Sequence, residues 1–324
     1  MGGTAELSYN FHGIRVDMCG SPSILAALAS RFGQLPQDPG SASELHFEFE
    51  SAVTESAHRI HKPRGQERPF YTPLVGEAIY FPESDELYLD YGGRVRALCR
   101  PAEGRCTLSL LEPELDQLWL ATHPLSTIPF IEMLKRRGKF NVHAAAFARH
   151  GRALLLPGTT GAGKSTLTVC LLRAGFDFLG DDMAFLEDSS RLRVLAFPEN
   201  IDVTETTATF FAELKELTQR PLRLGWPKHE IRSTDFFASR IAWSAEPSAV
   251  VFPQIGNVAA STLTPISSDE AFQALAPNVL LTEMQSSKAH FEALARLANA
   301  VPCYRLRTGR DFEYIPHLLG ELLS

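Results

Sequence analysis

Apolar and polar residues alternate along LSYNFHGIRVDM, residues 7–18, with His12-Gly13 in the middle. That pattern predicts two strands joined by a tight turn. In SPSILAALASRF the apolar positions Ile24, Leu25, Leu28 and Phe32 recur at helical spacing, behind a cap at Ser21 or Ser23. GQLPQDPGSAS is punctuated as a loop, and LHFEFES alternates like a half-buried strand. From Glu77 onward EAIYFP, ELYLDY, RVRALCR and CTLSLL form a meander of short strands over ESD and GG turns. No repeat of fixed period and no low-complexity segment is visible. Residues 1–122 therefore read as a small α+β module of unknown role. They carry no motif with evident chemistry.

LDQLWLATHPLSTIPFIEMLKRRG reads as helix in two pieces, broken near His123-Pro124. Lys135, Arg136 and Arg137 crowd its end, where cations suit a helix C-terminus. The domain boundary is placed near residue 122, with a second domain over 123–324. NVHAAAFAR and RALLLP flank His150-Gly151 and predict an antiparallel hairpin. Its second strand runs directly into GTTGAGKST. GKSTLTVCLLRAG is then a helix with Leu167, Cys170, Leu171 and Ala174 inward, stopped by Gly175. FDFLGDD follows as a short strand, expected beside the strand that enters the glycine loop. MAFLED and RLRVLAF form a hairpin over Ser189-Ser190. Beyond it lie a helix around 206–219, a loop, a strand at 249–252, and helices at 269–275 and 290–298. The strand CYRLR and the helix YIPHLLGELL end the chain.

Composition narrows the classes. The chain has 324 residues, a net charge of −7 and 44% hydrophobic residues. No basic field points to bulk nucleic-acid binding. Cys19, Cys99, Cys106, Cys170 and Cys303 include no C-x-x-C pair, so neither a zinc cluster nor a disulfide framework is suggested. No run reaches the length of a membrane span, and the first residues lack an export-like apolar stretch. The expectation is a cytoplasmic protein without nucleic-acid or membrane partners.

The stretch from Gly158 to Ser165, GTTGAGKS, fits G-x-x-x-x-G-K-[ST] at every position. Glycines let successive N–H groups turn inward toward a phosphate, and the following helix start adds unpaired N–H groups and a positive dipole end. Gly158, Thr159, Thr160, Gly161, Ala162, Gly163, Lys164, Ser165 and Thr166 are the nucleotide-binding candidates. Lys164 supplies a mobile charge for the β- and γ-phosphates, and the Ser165 hydroxyl a ligand for Mg²⁺. Asp181 and Asp182 close the next strand, where a carboxylate can hold Mg²⁺ or orient a nucleophile. Neighbouring strand residues face opposite sides, so the two carboxylates have different jobs. The pair also suits a solvated turn. His143 lies at the loop end of the hairpin, opposite Leu156 and Pro157. There an imidazole can donate to phosphate or assist a base; on an apolar strand it can equally be a core residue.

The run VHAAAFARHGRALLLPGTTGAGKSTLTVCLLRAGFDFLGDD resembles the catalytic core of the HPr kinase/phosphorylase family. More particularly, it resembles the HPr-kinase-like group that includes lasso-peptide kinases. The likeness is strongest from His123 to Asp182. It implies an α/β fold with a mixed-sheet P-loop core similar to phosphoenolpyruvate carboxykinase. It implies ATP and Mg²⁺ as cofactors, and γ-phosphoryl transfer to a Ser or Thr of a peptide or small protein. His143 matches the family's active-site histidine, and Lys164 and Ser165 its phosphate lysine and metal-binding serine. Asp181 matches the aspartate that accepts the hydroxyl proton, so Asp181, His143 and Lys164 are the catalytic candidates. Asp182 joins Ser165 on the metal side. Residues 1–122 do not resemble the family's N-terminal domain, and its downstream glycine-rich signature is absent. The resemblance thus implies neither HPr as acceptor nor phosphorylase activity. It does allow a homo-oligomer. RPLRLGWPKHEIR, residues 220–232, concentrates cations, and Arg223, Lys228 and Arg232 are candidates for a substrate or phosphate clamp; a solvated connector fits them too. A small-molecule kinase on the same core and a nucleotide-switched binding protein are the competing readings.

Overall fold

The computed structural model describes residues 5–38, 40, 42–70, 76–111, 115–159, 161–219, 222, 228–237, 240–256 and 258–324. Contacts divide the chain into two compact units: Met1–Gly138 with Leu280–Lys288, and Lys139–Val279 with Ala289–Ser324.

The first unit contains β1 (Ala5–Phe11), β2 (Ile14–Gly20), α1 (Pro22–Phe32), β3 (Leu45–Ala52), β4 (Arg68–Pro69), β5 (Glu77–Phe81), β6 (Glu86–Tyr91), β7 (Val95–Arg100) and β8 (Arg105–Leu111), then α2 (Leu115–Thr122) and α3 (Pro124–Lys135). Its strands form one sheet in the order β1-β2-β3-β8-β7-β6-β5-β4. The β2–β3 and β3–β8 pairs are parallel and the meander is antiparallel. The predicted turn falls at His12-Gly13, where both residues have positive φ. Phe130 of α3 packs against Phe11, Phe32 and Phe47, with ring centroids 5.2, 6.4 and 6.3 Å away.

That packing places the division after Gly138, whereas the sequence reading put it near residue 122. The basic triplet also does more than cap a helix. Lys135 Nζ lies 2.7 Å from Glu132 Oε1 with both side chains fully shielded. Arg136 reaches Glu132 at 2.9 Å and Asp85 at 2.6 Å. The same cluster holds the 280–288 segment: Lys135 donates to the Leu280 carbonyl, Arg136 to Ser286 Oγ, and Thr282 to Glu132.

The second unit carries β9 (Lys139–Val142), β10 (Ala144–Arg149), β11 (Arg152–Pro157), α4 (Lys164–Arg173), β12 (Asp177–Gly180), β13 (Ala184–Asp188), β14 (Leu192–Leu195), β15 (Ile201–Thr204), α5 (Glu205–Phe210), β16 (Lys228–Ile231), α6 (Ser233–Phe236), β17 (Ser244–Ile255), β18 (Thr262–Ile266), α7 (Ser268–Leu275), most of α8 (Met284–Ala300), β19 (Cys303–Thr308) and α9 (Ile315–Gly320). The main sheet runs β12-β10-β11-β17-β14-β13-β9, with β19 on β17 and β18 on β19. It is mixed. β11, β17 and β19 are parallel, while β10–β11, β10–β12 and β14–β17 are antiparallel. The chain is thus α/β with mixed sheets. Successive residues of the central strands feed opposite cores. Leu154, Leu156, Ala249 and Val251 pack with α4 and α9, and Leu155, Val250 and Phe252 with α7 and α8.

Several expectations are revised. NVHAAAFAR is not one strand. β9 pairs with β13, β10 pairs with β11 and β12, and His143 sits at the break. β12 lies beside β10, one strand away from β11. The 206–219 helix is α5 followed by a 3₁₀ stretch, Ala212–Gln219. The strand expected at 249–252 extends over the whole of β17. β15 and β18 were not anticipated. Lys228 lies on a strand, β16, that pairs with β15. Among the described residues, no helix is long and apolar enough to cross a membrane.

Candidate active site

The hairpin register is Ala144↔Pro157 and Ala145↔Leu156, so β11 ends opposite the start of β10 and the glycine loop begins there. Gly163 caps α4 with φ 93°, a backbone region that disfavours side chains. The first turn of α4 then presents N–H groups with no partner inside the helix. Lys164 is 7% exposed. Its Nζ donates to the Gly158 carbonyl and lies 3.1 Å from His143 Nε2 and 3.9 Å from Asp182 Oδ1. Burial lowers its pKa, the carboxylates of Asp182 and Asp181 oppose that, and Lys228 reinforces it.

His143 is fixed by its backbone. Its N–H donates to the Asn278 carbonyl at 2.8 Å. Two residues earlier the Asn141 carbonyl accepts from Nε2 of the buried His290 at 2.7 Å. The His143 ring faces Lys164 through Nε2 and Asp182 Oδ1 through Nδ1, at 3.5 Å. Burial holds its pKa below the usual histidine value. Asp182 pulls it up, and Lys164 and Lys228 push it down. A neutral ring satisfies both neighbours at once: Nε2 accepts from the ammonium and Nδ1–H points toward the carboxylate.

The adjacent aspartates occupy unlike environments. Asp181 is 3% exposed, and the Asp182 side chain is 66% exposed. Thr168 Oγ1 donates to Asp181 Oδ1, and Ser165 Oγ lies 3.5 Å from Asp181 Oδ2. Burial pushes the Asp181 pKa to about 7. The Thr168 hydrogen bond lowers it, Asp182 and Asp202 add repulsion, and Lys164 counteracts them. The turn that separates the two carboxylates needs Gly180. A Cβ there would stand 2.3 Å from the Met183 carbonyl oxygen and 3.0 Å from that of Phe197.

His143, Lys164, Ser165, Asp181 and Asp182 are thus brought together. Thr166 is tied through its hydroxyl to Thr207 at 2.9 Å. Lys228 joins the site electrostatically and pairs with Asp202 at 3.4 Å. Arg232 is exposed ahead of α6. Thr160 and Arg223 lie outside the described residues. Sequence reasoning missed Asp202, Asn278 and His290. No spacing to the glycine loop marks them, because Asp202, Asn278 and His290 reach the site only through tertiary structure.

The donor set near Ser165 is hard oxygen: its hydroxyl, Asp181, and Asp182 beyond. Burial raises the Asp181 pKa first and the charges of Asp182 and Asp202 add to it, and a divalent cation beside the carboxylate would offset both. Among the described residues no three His, Cys, Asp or Glu side chains converge as a metal cage. The Ser165 hydroxyl with one or two carboxylates is a donor set that Mg²⁺ takes, the rest of its shell being phosphate oxygens and water.

No protein-family model matches this chain, and no curated protein matches it. A solved structure of the Hpr(Ser) kinase/phosphatase from Coxiella burnetii is similar over 56% of this chain and 93% of its own, at 12% identity and a TM-score of 0.28. A likeness of that size carries no argument about what this chain does.

Proposed function

We propose that the chain is an ATP-dependent kinase that transfers the γ-phosphoryl group to a Ser or Thr hydroxyl of a peptide or small protein. The observation that carries this reading is the division of labour around α4. A shielded carboxylate, Asp181, stands by Ser165, while an accessible one, Asp182, stands by His143 and Lys164. A pure nucleotide switch needs the loop and a metal but no accessible carboxylate-imidazole pair.

Ser165 and Asp181 would hold Mg²⁺, which when bound neutralises phosphate oxygens. The α4 first-turn N–H groups and Lys164 bind the phosphates. Asp182 accepts the acceptor hydroxyl's hydrogen bond and takes its proton as the oxygen attacks the γ-phosphorus. The bond from that phosphorus to the bridging oxygen breaks, and ADP leaves. Neutral His143 holds Asp182 through Nδ1–H. This exchanges the roles read from the resemblance, which gave the acceptor to Asp181 and the metal to Asp182. The contrast in exposure supports the exchange: Asp182 is the carboxylate that an incoming hydroxyl meets first, and Asp181 is the one held beside Ser165.

The test is ATP turnover and phosphate incorporation into a serine-containing peptide, for the wild type, Asp182→Asn and Asp181→Asn. Asp182→Asn should bind ATP with Mg²⁺ normally and lose about 10²-fold or more in transfer. Asp181→Asn should lose the Mg²⁺ dependence of ATP binding. Tight ATP binding with no peptide phosphorylation would remove the peptide-kinase reading and favour its competitors. Unchanged transfer in Asp182→Asn would remove the assignment of roles.

A further inference from the structure

Ile255 is the last residue of β17, and 71% of it is exposed. The preceding apolar residues Val250, Val251 and Phe252 are buried. A single exposed isoleucine is ordinary on a protein surface; its location is what distinguishes this one. β17 runs parallel to β11, with Leu154↔Ala249 and Leu155↔Val250 in register, so both strands end on the side where the glycine loop begins. Ligands of open α/β sheets sit beyond such carboxyl ends. Pro253 packs on the loop's first glycine, with its Cγ and Cδ 3.8 Å from where a Gly158 Cβ would be. Ile255 packs on its last, with Cγ1 3.3 Å from the Cβ position of Gly163, the N-cap of α4. One flank of the Ile255 side chain therefore touches the loop, and the rest faces solvent. The strand cannot simply continue past it with larger residues, because a Cβ on Gly256 would meet Arg307 Cγ at 2.7 Å.

His143 precedes β10 and the aspartates follow β12, the two strands on the other side of β11 from β17, while their onward or preceding strands β13 and β9 lie beyond β14. The transferring end of the triphosphate belongs with those residues. The nucleoside end is then assigned to the flank of the loop where Ile255 is exposed. We infer that Ile255 is the platform on which the nucleoside part of the bound nucleotide rests, against the outer flank of Gly163. This rests on the kinase reading above. The side chain offers dispersion and apolar cover to a base or ribose but no hydrogen bond. It therefore contributes affinity without selecting among bases.

The experiment is calorimetric binding of ATP, GTP and inorganic tripolyphosphate, each with Mg²⁺, to the wild type, Ile255→Ala and Ile255→Phe. Tripolyphosphate carries the phosphates without the nucleoside, and its binding also reports an intact loop. Ile255→Ala should weaken ATP and GTP alike by about fivefold, about 1 kcal/mol, and leave tripolyphosphate within about twofold. Ile255→Phe, with a larger flat face, should restore or tighten nucleotide binding. Unchanged ATP affinity in Ile255→Ala overturns the inference alone. So does an equal loss for ATP and tripolyphosphate, because the side chain then shapes the loop rather than meeting the nucleoside. If the wild type binds neither ligand, the kinase reading fails and this inference fails with it.

Discussion

Asp181 puts an ionisable group where water does not reach, and its pKa of about 7 follows first from burial and then from Asp182 and Asp202. The folded-state value lies above the ordinary carboxyl value of 3.8. Stability linked to this group is fully present below that ordinary value and is lost as pH rises toward 7. Without metal, Asp181→Asn should therefore melt several degrees above the wild type at pH 8, with the gap closing near pH 4. Thermal melts across that range check it; a gap that ignores pH would mean that desolvation is not the cause. His143 gives a second residue-scale test with two opposite signs. Its pKa is lowered mainly by burial, raised by Asp182 and lowered by Lys164. Lys164→Met should raise it and Asp182→Asn should lower it further, as read by NMR titration of the imidazole. The loop from Gly158 to Ser165 was legible as a candidate because one contiguous segment carries the whole motif. The contrast between Asp181 and Asp182 was legible only as "different sides". Which one is shielded depends on Thr168 one helix away and on the Gly180 turn.

At the scale of elements, short apolar runs announce strands without announcing their partners. NVHAAAFAR has one hydrophobic character throughout, yet it breaks at His143 because β9 and β10 join different neighbours. That break brings His143 out of a ladder and into the site, a consequence that periodicity does not carry. The position of β12 beside β10 was hidden for the same reason. The tight turn after β12 is the element on which both aspartates depend. Gly180→Ala forces a Cβ into the carbonyl oxygens of Met183 and Phe197. The expected cost is about 1–3 kcal/mol, with Mg²⁺-dependent nucleotide binding weakened more than the melting temperature alone would explain. Denaturant unfolding and binding isotherms on the same protein separate the two effects. Normal stability together with normal binding would show that the turn relaxes at no cost.

On the scale of the whole molecule, the chain leaves the second unit after Val279 and rejoins it at Ala289, and the residues between belong with the first. No composition shift marks that excursion, because its anchors are single polar contacts to α3 rather than an apolar stripe. Those contacts centre on Glu132, which holds Lys135, Arg136 and Thr282 in a shielded cluster. Removing one partner of a buried ion pair leaves the other charge uncompensated, which costs roughly 3–5 kcal/mol. Glu132→Ala should therefore lower the melting temperature of the full chain by several degrees. The same geometry predicts that residues 139–324 expressed alone are not an independent unit. The 280–288 segment would lose the α3 cluster, and α8, which begins inside that segment, would lose its first turn's anchor. His290, whose ring donates to the Asn141 carbonyl, lies on the same helix, so the backbone ahead of His143 should loosen with it. Hydrogen exchange at residues 139–143 in the fragment and in Glu132→Ala should rise together relative to the full chain. A fragment that melts where the intact protein melts, with those amides equally protected, would show that the second unit stands without the excursion's anchor.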